Sequence, residues 1–202
     1  MRTLAAFVFP GFQTLDFYGP MEMLGGMRGE ISIVTVAETM EPVPSVHHQR
    51  IQPDRTIAEG SDYDLLFLPG GDTALEAAKK PAVTQWIVDT SAQAELVMAV
   101  CTGTVLLATT GVLDGRKATT NKIDFTSTVH LGPGVEWVRQ ARWVEDGKFF
   151  TSSGVSAGID MSLAALAHLF GREVADEMAD GTEYEWHDDA GWDPFAKSAG
   201  LV

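Results

Sequence analysis

The chain has 202 residues, 45% of them apolar and 21% charged, which is ordinary for one globular domain with a sizeable core. Its formal net charge of −14, with no basic stripe interleaved with aromatics, argues against nucleic acid as a partner, because phosphates would be repelled. One cysteine, Cys101, rules out an internal disulfide framework and fits a cytoplasmic, reducing location.

In chain order, residues 3–9 predict a first strand, stopped at Pro10, with none of the small-residue cleavage pattern of a signal peptide. Pro10-Gly11-Phe12 reads as a turn. Thr14 to Pro20 then leads into a short helix over 21–27. Residues 31–36 are rich in β-branched side chains and predict a second strand. The polar stretch 38–62, with Pro42, Pro44 and Pro53, reads as a loop with short edge strands. Residues 65–68 predict a third core strand, closed by Pro69-Gly70-Gly71, and a helix follows Pro81 over 82–94.

Leu96 to Leu113 carries no charge, which raises the question of a membrane span. Gly103, Gly111 and four threonines interrupt it, so the run divides into a buried strand and a buried helix that ends at Gly111. Asp146-Gly147, between residues 141–144 and 149–151, signals a hairpin. Residues 156–170 predict a helix with an apolar stripe at Ile159, Leu163, Leu166 and Phe170, stopped by Gly171, and a second helix covers 172–180. The acidic cluster from Asp176 to Asp189 reads as a solvated face. Trp186, Trp192 and Phe195 imply that the tail packs against the body.

Buried strands alternating with helices, without repeat or linker, predict a single α/β domain over 1–202 with a mainly parallel sheet. In such sheets the functional crevice lies beyond the carboxyl ends of the strands. Three notable turns fall there: Leu15-Asp16, Gly70-Gly71 and Cys101-Thr102-Gly103. A thiol at a strand–turn–helix junction lies near the positive helix end, where its pKa falls. A lone cysteine also serves elsewhere as a small buried hydrophobe. Asp16 has apolar neighbours, which would keep it protonated as a proton donor; the alternative is a helix cap. The amides of Gly70, Gly71 and Thr102 are candidates for binding developing negative charge, and no phosphate-loop lysine follows. Ser152-Ser153-Gly154 reads as pocket lining or a turn leading into a helix, and Phe17 and Tyr18 are expected to shape the pocket. His47, His48, His130, His168 and His187 lack metal-ligand spacing, so no metal is expected. No Gly-x-Ser-x-Gly elbow occurs.

Taken together, several segments resemble the ThiJ/PfpI superfamily, which has the fold of class I glutamine amidotransferases. They are Phe9-Pro10 with Leu15-Asp16 and Gly19-Pro20; Leu68-Pro69-Gly70-Gly71; Val100-Cys101-Thr102-Gly103; Gly111-Val112-Leu113 with Gly115-Arg116 and Ala118-Thr119-Thr120; and Ser153-Gly154 with Ala157-Gly158-Ile159-Asp160. Asp16 before Gly19-Pro20 resembles the isocyanide hydratase-like subgroup, where other branches carry Glu. The resemblance implies a three-layer sandwich with a mainly parallel, flavodoxin-like sheet and a nucleophile elbow at Cys101. It implies Cys101 as nucleophile, Asp16 as a protonated partner and proton donor, and the amides of Gly71 and Thr102 around developing charge. It also implies a homodimer acting on a small molecule without a cofactor. Many relatives carry His in the position of Asn121, here in Ala118-Thr119-Thr120-Asn121. Asn121 donates and accepts hydrogen bonds but takes up no proton near neutral pH, which argues against peptidase or amidase chemistry.

The leading expectation is a hydro-lyase that converts an isocyanide to an N-substituted formamide through Cys101 and Asp16. One alternative is a cofactor-free glyoxalase or deglycase acting on 2-oxoaldehydes. The other is a redox or stress sensor through oxidation of Cys101.

Overall fold

Residues 4–7, 65–68 and 96–100 are wholly apolar and wholly buried, as strands covered on both faces must be. The computed structural model describes residues 1–202 and builds the chain around these runs. Its strands are β1 (Arg2–Phe7), β2 (Ile31–Ala37), β3 (Val43–Pro44), β4 (Arg50–Ile51), β5 (Arg55–Thr56), β6 (Leu65–Leu68), β7 (Leu96–Val100), β8 (Lys117–Ala118), β9 (Glu136–Trp137), β10 (Trp143–Asp146) and β11 (Phe149–Ser152). Its helices are α1 (Thr14–Gly25), α2 (Ala74–Ala78), α3 (Pro81–Gln93), α4 (Gly103–Ala108), α5 (Phe125–Val129), α6 (Ala157–Phe170), α7 (Arg172–Gly181) and α8 (Pro194–Ser198).

Seven strands form one sheet in the order β10-β11-β7-β6-β1-β2-β5. Every pair in it is parallel except the β10–β11 hairpin, which turns at Gly147 with φ of +60°. From β2 to β11 the order β2-β1-β6-β7-β11 is the doubly wound, flavodoxin-like one, with its switch point between β1 and β6. Helices α1, α6 and α7 pack together, as do α2, α3 and α4, giving the two helical layers of an α/β sandwich. The uncharged run over 96–113 divides into β7 and α4, as its glycines require. No helix is long and apolar enough to cross a membrane.

The first helix departs from expectation. It starts at Thr14, not near Met21, and carries Pro20 in its interior. Tertiary packing overrides the local Gly-Pro break. A Cβ on Gly19 would lie 2.7 Å from Ile159, and one on Gly158 would lie 2.8 Å from Val100 and 3.2 Å from Pro20. α1 and α6 therefore cross at glycine, and the close approach holds the proline turn in place. Short α2, β8, α5 and β9 have no periodic signal and were not expected.

The tail docks through a buried ion pair. Arg142 Nε donates to Asp160 Oδ2 at 2.7 Å, and the two side chains are 5% and 0% exposed. The other oxygen, Oδ1, accepts from Tyr184 Oη at 2.9 Å and His187 N at 3.1 Å. The Arg142 amide binds Ala190 O at 2.7 Å. Asp160→Ala strands the guanidinium in the interior, so urea unfolding is expected to report a loss of about 3–5 kcal/mol. A loss under about 1 kcal/mol would show that the pair is dispensable.

Candidate active site

Cys101 follows β7 with φ of +57°, the left-handed region that a side chain normally avoids. Such strain costs about 1–3 kcal/mol and persists only where neighbours over-determine it. Here Cys101 N donates to Ser152 O at 3.2 Å, extending the β7–β11 ladder. Its carbonyl accepts from Thr120 Oγ1 at 2.8 Å. The next turn passes so close to β6 that a Cβ on Gly103 would meet Leu68 O at 2.4 Å.

Asp16 comes from the first turn of α1 and has no exposure. It is not the helix cap, since Gln13 holds that position. Its Oδ2 accepts from Gly70 N at 3.0 Å, and its Oδ1 receives no N–H or O–H donor. The Cys101 thiol lies close enough for the two groups to shift each other's ionisation, while Oδ1 has no hydrogen-bond partner. Burial raises the carboxyl from 3.8 to about 7, against the smaller opposing effects of Gly70 and Cys101. The Gly70 amide therefore orients the acid. A Cβ on Gly70 would lie 2.7 Å from Asp16 Oδ2 and 2.8 Å from Thr102 N.

The expected lowering of the thiol is overturned. Burial, and then the Asp16 charge, push Cys101 up. α4 has six residues, too few for its dipole to offset desolvation of a nearly enclosed sulfur. Three smaller effects favour the thiolate: the amides of Thr102 and Val155 and the Thr102 hydroxyl. That hydroxyl accepts from Gly71 N at 2.9 Å, leaving its own proton for the sulfur or for Gly71 O at 3.2 Å. In this arrangement the Gly71 amide reaches the sulfur only through Thr102. Val155 was missed because its backbone, not its side chain, does the work. Its φ of +47° is a further marked strain for a β-branched residue, visible only in the fold.

Cys101 opens onto a cleft of about 860 Å³. Gly71, Thr102, Ser153, Gly154 and Val155 share its inner wall, and Leu75, Val105 and Leu131 add apolar surface. Asp16 does not line it but lies behind the sulfur. Asn121 does line it, with Nδ2 donating to Asp124 Oδ2 at 2.8 Å and Oδ1 accepting from Thr120 Oγ1 at 3.2 Å. Lys122, also unforeseen, is buried beside it, and desolvation lowers its pKa against the pull of Asp193. Phe17 packs against Phe12 and Phe67 instead, and neither Phe17 nor Tyr18 lines the cleft. The histidines lie elsewhere, and no group of three His, Cys, Asp or Glu side chains could hold a metal ion.

Isonitrile hydratase of Pseudomonas putida is 30% identical over 179 residues, covering 88% of this chain and 76% of that protein. The HTH-type transcriptional regulator CdhR of Pseudomonas aeruginosa is 30% identical over 86% of this chain, which spans about half of that protein, 52%. The crystal structure of a ThiJ/PfpI family protein from Pseudomonas syringae superposes with a TM-score of 0.83 at 32% identity, covering 91% of this chain and 75% of that one. The model of the DJ-1/PfpI family matches residues 2–168, and the chain belongs to that family.

Proposed function

We propose that the protein hydrates an isocyanide (isonitrile) to an N-substituted formamide, with Cys101 as nucleophile and Asp16 as proton carrier. The observation that carries this reading is the buried Asp16 carboxyl against the Cys101 thiol, with no histidine in the cleft. The similarity to isonitrile hydratase supports it.

As pH rises through about 7 the pair passes from two protons to one. Burial resists both negative charges, and the Asp16 charge raises the thiol further. Burial leaves that one proton on sulfur, and moving it to Asp16 Oδ1 makes the attacking thiolate, which the donors from Thr102 and Val155 favour. The thiolate attacks the terminal carbon of R–N≡C and forms the S–C bond. Asp16, behind the sulfur, delivers its proton to that same carbon, giving the thioimidate R–N=CH–S. The resulting carboxylate takes a proton from water as hydroxide adds to the carbon. Collapse breaks the C–S bond and returns the thiolate as the proton of the added hydroxyl moves to nitrogen, releasing R–NH–CHO, while Asp16 keeps the proton it took from water. One water is consumed and the Asp16–Cys101 pair ends as it began. A carboxyl near 7 suits both proton transfers at neutral pH. A glyoxalase reading lacks a base, because Asn121 is held by Asp124 and takes up no proton.

Cys101→Ala is expected to abolish formamide production from cyclohexyl isocyanide, followed by NMR. Asp16→Asn is expected to lower kcat by about 10²-fold or more. Full activity in the Cys101 variant, or none in the wild type, sinks the reading.

Asp16 also links stability to pH. Its folded-state pKa of about 7 lies above the ordinary 3.8, so the folded chain holds this proton more tightly than the unfolded one. The stabilisation is complete below about pH 4 and is lost as pH rises through about 7. Asp16→Asn removes this dependence. From pH 4 to 7.5 the urea-derived stability of the variant should rise relative to wild type, by up to about 4 kcal/mol. A wild-type-minus-variant difference that stays flat with pH contradicts the buried, protonated acid.

A further inference from the structure

Residues 169–202 lie beyond the segment matched by the family model, yet part of this tail forms the cleft wall. Asp193 caps α8, its Oδ1 accepting from Phe195 N at 3.0 Å. Its Oδ2 lies 3.3 Å from Lys122 Nζ, and the two side chains are 0% and 2% exposed. Lys122 Nζ also donates to Thr119 Oγ1 at 2.6 Å and Thr120 O at 3.1 Å, in the loop that carries Asn121. The first turn of α8 is thus tied to the cleft by a desolvated ion pair, and Ala196 is fully buried beneath it.

Phe195 is the residue this anchorage leaves over. It lines the cleft with 54% of its surface exposed. Ile123, at 93%, and Val155, at 37%, are the other large apolar residues that line the cleft and remain exposed. Exposed apolar side chains scattered singly need no explanation, but a ring of them around a reactive thiol does. The charge around this ring is selective as well. Asp72 and Asp124 line the cleft, and its one basic residue, Lys122, is already paired with Asp193. An anionic substituent would find repulsion without a free cation. The volume, about 860 Å³, far exceeds what an isocyano carbon and nitrogen need.

We propose that Phe195, carried on the anchored α8, is a specificity-determining residue that selects a bulky, uncharged, apolar substituent on the substrate whose reacting carbon meets Cys101. Only the identity of the reacting group rests on the hydration reading; the selection acts on whatever Cys101 attacks.

Two measurements test this on the full chain. In the first, kcat/KM is compared for cyclohexyl and methyl isocyanide. Phe195→Ala is expected to lower the value for cyclohexyl about tenfold, mainly through KM, with methyl within about twofold. Phe195→Leu should recover much of the loss. In the second, Cys101 is alkylated with N-benzyl iodoacetamide or iodoacetamide and followed by intact mass, which needs no turnover. The benzyl-to-parent rate ratio should fall in Phe195→Ala by a similar factor. A lowered ratio without isocyanide turnover in the wild type supports the selection and sinks the hydration reading. Unchanged ratios in the alkylation, or equal losses for large and small reagents, overturn the selection by Phe195.

Discussion

The site depends on one carboxyl group taken out of water beside a thiol. Asp16 has no exposure, and Cys101 is almost as enclosed. Two negative charges in that volume are prohibitive, so the pair keeps one proton between them. Reactivity then depends on which of the two atoms holds it. The donors from Thr102 and Val155 favour sulfur as an anion and so offset part of the burial that keeps the proton there.

That arrangement explains why the backbone is forced into an unusual shape at two of the four strand ends that meet here. Asp16 follows β1, Gly70 follows β6, Cys101 follows β7 and Val155 follows β11. Bringing all four within contact leaves no room for a Cβ at Gly70 or Gly103. It also holds two L-residues, Cys101 and Val155, at positive φ. The crossing of α1 and α6 through Gly19 and Gly158 belongs to the same requirement, because α1 carries the acid and α6 follows the Val155 turn. The long buried strands and the sandwich around them supply the stability against which this strain is set.

The parts of the fold legible in sequence are those where one local signal suffices. β6 and β7 are short, wholly apolar runs, and Asp146-Gly147 marks its hairpin without help from the rest of the chain. Cys101, Asp16 and Gly70-Gly71 stand at turns after such runs, so their convergence follows from the topology of a parallel sheet. The start of α1 was hidden because Gly19-Pro20 reads as a break, and only contact with Ile159 and Gly158 of α6 allows the helix to pass through it. Val155 was hidden because its contribution is an N–H, which every residue but proline has. Lys122 and Asp193 were hidden because their meeting depends on how the tail folds back, and each alone reads as a solvated charge. The thiol was misjudged for a related reason: proximity to a helix is visible in sequence, but depth of burial is not.

The position of Asp16 behind the sulfur separates a wet compartment from a dry one. The cleft, with its polar serines, asparagine and open mouth, is continuous with solvent, whereas the acid is not. Cys101 stands at the boundary between them. On the proposed function, a proton on Asp16 is thereby insulated from bulk exchange while the cleft is idle, and its route out runs past the sulfur to whatever atom is bonded there. Leakage to solvent and delivery to the substrate are kept apart by layering, with no moving part required.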